Sequence, residues 1–127
     1  MTLNNNDDIV NDLVKKFNLI PIEFLNAKSY PMASAYGFNL NHKTRGCLLC
    51  KSVNDNIWRV CQFADTRFLN GVLTTTYNFG KEFDEYIARG SLEYHIQHIK
   101  YQIDRDTQIA KLQRVFHRIS EIEKDFK

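Results

Sequence analysis

The sequence has little of what marks a secreted, membrane-spanning or disordered protein. It has no run of about 18 apolar residues, the length that a membrane-spanning helix needs. Its 127 residues include only two prolines and five glycines, too few for a chain dominated by loops or disorder. The N-terminal segment carries neither the basic nor the apolar region of a secretory signal. We therefore expect a globular protein with a cytoplasmic location and no contact with a membrane.

Cysteine and net charge are also limited. Three cysteines, an odd number in a chain without an export signal, predict reduced thiols rather than a disulfide framework. The formal net charge of +2 is too small to imply nucleic acid by itself. Its distribution is uneven, because residues 41–63 carry a net charge of +3. The bases of that segment are Lys43, Arg45, Lys51 and Arg59, against Asp55 alone.

What is present fits one domain, residues 1–127, of the α+β class. A chain of 15.0 kDa is the size of a single domain and buries roughly two-thirds of its unfolded surface, so it needs no metal or disulfide to fold. Helical spacing at both ends and strand spacing between them predict three parts. These are a short N-terminal helix, an antiparallel β-meander of four or five strands and a long helical C-terminal third.

The N-terminal helix is predicted from an apolar face formed by Ile9, Leu13 and Phe17. Asn6 or Asp7 can cap it, and it should end before Pro21, whose ring disfavours helix in the preceding residue. Residues 20–32 fit either an extended segment or another helical turn.

The central region alternates in the manner of strands, and two turns organise it. Asn54-Asp55-Asn56 tolerates left-handed backbone and should join the second strand to the third. Asn70-Gly71 is the strongest hairpin signal in the chain. A polar turn is predicted at Lys43-Thr44-Arg45-Gly46. The candidate strands are Ala35–Leu40, Cys47–Val53, Ile57–Phe63, Thr66–Leu69 and Val72–Tyr77.

A short helix is predicted from Glu82 to Arg89, with Gly90 at its end and Ser91 as the cap of the next. The C-terminal third then carries two apolar sets on opposite sides of one helix. The first set is Leu92, Ile96, Ile99 and Ile103, and the second is Leu112, Val115, Ile119, Ile122 and Phe126.

Two alternatives follow for this C-terminal third. The helix either breaks near residues 104–107, where Asp106 could cap a second helix, or continues and uses its two faces differently. The second set has the spacing of a heptad seam, suited to pairing with another helix. That other helix is either the N-terminal helix of the same chain or one from a second copy.

The sharpest constellation for a metal is His42, Cys47, Cys50 and Cys61, which have the residue types of a zinc site. Against it, Cys47 and Cys50 would point to opposite faces of a regular strand. We therefore predict ordinary strand cysteines and no metal or other cofactor. His95 and His98 on the long helix are interpreted as a polar helix surface, and Lys111, Arg114 and Arg118 as an exposed charged face.

No catalytic constellation is predicted, and the leading hypothesis is a non-enzymatic interaction protein of the adaptor or inhibitor type. It would bind another macromolecule and self-associate as a homo-oligomer through Leu112, Val115, Phe116, Ile119, Ile122 and Phe126. The alternative hypothesis is nucleic-acid or nucleotide binding by the basic segment 42–59, with Lys43, Arg45 and Arg59 meeting phosphates and with Trp58 and Phe63 as stacking surfaces.

Overall fold

The computed structural model describes residues 5–22, 32–52, 57–88 and 90–125. The chain forms helix α1 (Asn5–Lys16), strands β1 (Ile20–Pro21), β2 (Met32–Gly37), β3 (Lys43–Arg45), β4 (Leu49–Ser52), β5 (Trp58–Leu69) and β6 (Val72–Glu82), and helices α2 (Phe83–Ala88) and α3 (Leu92–Asp125). This architecture confirms the α+β class, the short N-terminal helix and the long C-terminal helix. Although α3 is long, no helix in the described part of the chain is apolar enough to cross a membrane.

The strands form one sheet in the order β1-β2-β4-β5-β6-β3. The prediction of a purely antiparallel meander is wrong in one respect, because β3 pairs with β6 in parallel and makes the sheet mixed. Lys43, Thr44 and Arg45, predicted as a turn, form this short strand. It lies at the edge of the sheet and is polar and largely exposed, so it lacks the apolar alternation that identifies a half-buried strand.

The long hairpin of β5 and β6 is the centre of the sheet. Asn70 (φ 51°) and Gly71 (φ 80°) form its two-residue turn, which confirms the predicted hairpin, since this turn requires left-handed backbone at both positions. The two strands predicted at 57–63 and 66–69 are one strand, β5. Its pairing with β6 shifts on both sides of Cys61, and this irregularity interrupts the alternation that the sequence prediction relied on.

The turn predicted at Asn54-Asp55-Asn56 lies outside the described residues, although the strands that it joins, β4 and β5, are antiparallel neighbours as expected. The sequence of residues 20–32 fits either an extended segment or another helical turn. Ile20 and Pro21 are extended as β1, and residues 23–31 lie outside the described part.

The core lies between the sheet and the helices. The first apolar set of α3 is at most 6% exposed and packs with apolar residues of β4, β5 and α2. Burying each such side chain contributes about 1.5–3 kcal/mol. Val10 and Leu13 of α1 enter the same core. The predicted α2 is confirmed, since Phe83 is fully buried and both Tyr86 and Ile87 are partly buried. Gly90 (φ 63°) ends α2, and Ser91 directly precedes α3.

Helix α1 is fastened to the sheet by a polar contact near its start. The Asp7 carboxylate accepts a hydrogen bond from Trp58 Nε1 at 2.6 Å, and the Lys51 ammonium lies 3.2 Å away. Since α1 begins at Asn5, Asp7 lies inside the first turn rather than at the cap. At the other end of α1, Lys16 forms an ion pair with Glu93 of α3. The two contacts fix α1 against β5 and the beginning of α3.

Replacing Asp7 by Asn tests this contact. The Trp58 hydrogen bond, assisted by Lys51 and opposed by partial burial, holds the pKa of Asp7 below its usual value. The carboxylate therefore stabilises the fold above pH ~4, and this contribution is lost as the pH falls through the lowered pKa. Because Asp7 is partly exposed, we expect Asp7→Asn to lower the free energy of unfolding at pH 7 by about 1 kcal/mol, with a smaller difference at pH 3.

Urea unfolding followed by the fluorescence of Trp58, the single tryptophan, measures this change. Asp8→Asn is the matched control, because Asp8 is exposed in the same helical turn and its substitution removes the same charge. Equal losses in the two variants would show that Asp7 acts only through the charge at the helix N-terminus.

Candidate functional site

Helix α3 is continuous from Leu92 to Asp125, 34 residues and about 50 Å long. The predicted alternative of a break near residues 104–107 is wrong. Asp106 lies inside the helix, and the Thr107 hydroxyl donates a hydrogen bond to the Ile103 carbonyl at 2.6 Å. The hydroxyl is thus satisfied by the helix backbone itself, and the polar stretch 104–107 is helical throughout.

The face of α3 that lies on the sheet changes character after Ala110. Ala110 is the last buried residue of that face within the described part of the helix. At 100° per residue, Arg114, His117 and Glu121 occupy the same face further along. The Arg114 guanidinium lies 4.6 Å from the centre of the Phe68 ring, near the end of the hairpin, and His117 Nε2 lies 3.0 Å from a Glu121 carboxylate oxygen. Beyond Ala110, the helix has no apolar side chain to bury against the sheet.

The opposite face of the same segment is apolar and exposed. We call it the outer stripe and define it as Ile109, Leu112, Val115, Phe116, Ile119 and Ile122, each between 45% and 65% exposed. Every side chain described between 111 and 124 is exposed. Phe126, predicted as part of this set, lies outside the described residues. Ile109 was missed in the sequence, although its spacing of seven residues from Phe116 places both on one side of the stripe.

Helix α1 does not cover the outer stripe, so the N-terminal helix of the same chain is not the helix that pairs with it. Val10 and Leu13 are buried in the core with Leu92 and Ile96, on the inner side of α3. The ion pair of Lys16 with Glu93 also places α1 at the start of α3, far from residue 112. With about half of each side chain exposed, the stripe presents on the order of 500 Å² of apolar surface, a size that on monomeric proteins is often functional.

The residues of the nucleic-acid hypothesis are not gathered at one place. Trp58 is 4% exposed, its ring is stacked with Tyr36 at 6.3 Å, and its indole nitrogen is bound to Asp7, so a base has no free face to stack on. Lys43 and Arg45 are exposed on the edge strand β3. Arg59 lies opposite Glu82, at the other end of β6. Phe63, the other residue predicted to stack, is 49% exposed on β5. Binding of nucleic acid by Lys43, Arg45 and Arg59 stays a prediction.

The cysteines are buried thiols that belong to the core. Cys47 and Cys50 share a small apolar cluster with Ala35. The prediction that their side chains point to opposite faces of one strand is therefore wrong, because Cys47 precedes β4. A hydrogen bond with Cys50, together with burial, raises the pKa of Cys47, and burial raises that of Cys61 to about 12. Such thiols stay protonated at neutral pH, which makes them poor nucleophiles.

Two of the histidines, His42 and His95, form hydrogen bonds inside the fold. His42 Nε2 lies 2.7 Å from the Thr75 hydroxyl, which in turn lies 2.6 Å from that of Thr66. His95 stacks on Tyr86 at 4.3 Å, and its Nε2 donates to the Cys61 carbonyl at 2.8 Å. Across the described residues, no three His, Cys, Asp or Glu side chains are arranged to hold a metal ion.

Comparison of the chain with protein-family models, curated proteins and solved structures finds no match.

The partly buried His42 and His95 predict a dependence of stability on pH. Burial lowers the pKa of His95, with a smaller contribution from His98, and burial followed by Lys111 and Lys100 lowers the pKa of His42. In the unfolded chain these histidines have a pKa of about 6.5, so near that pH the unfolded chain binds more protons than the folded one. The stabilisation is therefore complete above pH ~6.5 and is lost as the pH falls. We expect the free energy of unfolding to decrease between pH 7.5 and 5.5.

The His95→Gln variant should show a weaker decrease, because Gln can still donate to the Cys61 carbonyl but does not titrate. His117→Gln is the control, since His117 is exposed on the distal part of α3. Urea titrations at the two pH values measure the difference, and an unchanged pH dependence in His95→Gln would contradict the assignment.

Proposed function

We propose that this protein is a non-enzymatic interaction protein of the adaptor or inhibitor type, which binds another macromolecule and self-associates through the outer stripe of α3. The location that we propose is the cytoplasm. The observation that carries the proposal is the exposure of six large apolar side chains on one face of a continuous helix. Tyr94 and Tyr101 extend this face toward the start of α3 and are also exposed.

The size of the stripe supports a protein partner. Two copies that pair through it would bury on the order of 1,000 Å² in total, which is near the lower limit of specific interfaces. An interface of this size is typical of transient complexes rather than of obligate dimers. We therefore expect an affinity in the micromolar range, about 8 kcal/mol of binding free energy.

The state of the reactive side chains supports a binding role over catalysis. Burial raises the pKa of the Cys61 thiol, and the ring nitrogens that contact Thr75 and the Cys61 carbonyl commit His42 and His95 to the fold. A general base or nucleophile must instead have its reactive atom within reach of a substrate.

Charge introduced into the stripe tests this function. Ile119→Glu with Ile122→Glu would place two carboxylates in the interface of each copy, where burial without a partner is costly. We expect the dissociation constant of the oligomer to rise at least on the order of 100-fold, about 2.7 kcal/mol. Native mass spectrometry and sedimentation measure the oligomeric state of the purified protein.

The matched control is Gln113→Glu with Ser120→Glu, which adds the same charge to the same exposed segment at positions that border the stripe but lie off the seam of Leu112, Val115, Ile119 and Ile122. Both double variants should keep the fluorescence of buried Trp58, since none of the four residues is buried. A wild-type protein that stays monomeric at tens of micromolar would refute self-association, and equal dissociation of both variants would remove the stripe from the interface.

A further inference from the structure

We infer that the occupant of the outer stripe is the stripe of a second copy, running antiparallel over residues 109–125. This inference rests on the proposed self-association and adds the direction of the two helices. Four features of α3 favour the antiparallel arrangement: its charge distribution, the identity of its seam residues, the position of Phe116 beside the seam, and its continuity with the folded body.

The charge of the exposed segment changes sign along the helix. Residues 111–118 contain Lys111, Arg114 and Arg118 and no acid, a net charge of +3 with His117 neutral. Residues 119–125 contain three acids against Lys124, a net charge of −2. An antiparallel pair places each basic half beside the acidic half of its partner, whereas a parallel pair aligns the two basic halves and brings only Arg118 beside an acid of the partner, at Glu123. In the antiparallel pair, Arg118 is the charged residue of this segment that approaches its own copy, and its exposed side chain can turn to solvent.

The seam residues are suited to the same direction. In heptad notation, Leu112 and Ile119 occupy position a, and Val115 and Ile122 occupy position d. Parallel dimers favour leucine at d, so the two β-branched residues at d are unfavourable in that arrangement. An antiparallel pair instead packs Leu112 against the partner's Ile122, and Val115 against the partner's Ile119.

Phe116 distinguishes the two directions further, because it lies beside the seam at position e. In an antiparallel pair, positions e of the two helices are neighbours, so the two Phe116 rings meet next to the symmetry axis. In a parallel pair, the same rings lie on opposite sides of the helix pair and stay largely in water. The antiparallel arrangement therefore buries the most exposed residue of the stripe, at 65%.

The continuity of α3 argues against the parallel pair. Toward the start of the helix, the seam positions are occupied by Gln108, Arg105 and Tyr101. Since α3 does not break, a parallel partner would stay alongside and bring Arg105 against its own copy at position a. In the antiparallel pair, the two copies of Arg105 are about 36 Å apart along the axis and do not meet. Arg105 then keeps its place over the Tyr101 ring, 5.9 Å from its centre.

Single-cysteine cross-linking of the full chain distinguishes the two directions. In a parallel pair, residue 112 meets its own copy, so Leu112→Cys forms an intermolecular disulfide. In the antiparallel pair, the two copies of residue 112 are about 15 Å apart along the axis, whereas a disulfide needs Cα atoms within about 7 Å. Phe116→Cys should form an intermolecular disulfide in the antiparallel pair but not in the parallel pair. Arg118→Cys is a second position near the antiparallel axis, in case the loss of Phe116 weakens the pair.

We expect Phe116→Cys and Arg118→Cys to give several-fold more disulfide-linked dimer than Leu112→Cys under mild oxidation. The wild type is the control, and its background should be small because its three cysteines are at most 3% exposed. More dimer from Leu112→Cys than from the other two, or equal amounts from all three, would overturn the antiparallel direction.

Native mass spectrometry of each variant at the same concentration separates this failure from that of the proposed function. A monomeric wild type would refute self-association itself. A wild-type dimer from which none of the three variants cross-links would leave self-association standing and overturn the antiparallel pairing through the stripe.

Discussion

The packing of the first half of α3 on β5 is the constraint on which the other features depend. Ile96, Ile99 and Ile103 are fully buried there, and they fix the rotation of the helix about its axis. An α-helix that does not break keeps that rotation along its length. Residues half a turn away from the buried face must therefore point outward, however apolar they are. The outer stripe is a direct consequence of an inner face that is already in use.

Where the buried face of α3 ends, the side chains are of kinds that allow the helix to continue. Ala110 is small enough to end the buried face without leaving a large side chain at its margin. Thr107 satisfies its own hydroxyl on the helix backbone, and Arg114 covers the Phe68 ring instead of requiring an apolar partner. The helix can therefore extend past the last buried turn with its backbone hydrogen bonds intact.

Local patterns in the sequence predicted much of this fold, since hairpin turns, helix ends and apolar spacing are set by nearby residues. Asn70-Gly71, α2 and both apolar sets of α3 are of this kind. The parallel pairing of β3 was missed because Lys43 and Arg45 pair with residues about thirty positions away, for which local spacing has no signal. The contact of Trp58 with Asp7 across 51 residues was missed for the same reason. The members of the outer stripe were predictable from spacing, but their exposure was not, because it depends on where α1 packs.

The irregular pairing in the β5–β6 hairpin restricts how this chain can change in length. The two shifts beside Cys61 offset each other, with Gly80 as the unpaired residue on one strand and Gln62 on the other. A Cβ at position 80 would lie 2.3 Å from the Gln62 Cβ, so glycine is needed there. Deleting either residue alone would move one side of the ladder by one position and turn its side chains to the opposite face. Insertions and deletions at this point are therefore tolerable only as a compensated pair, one on each strand.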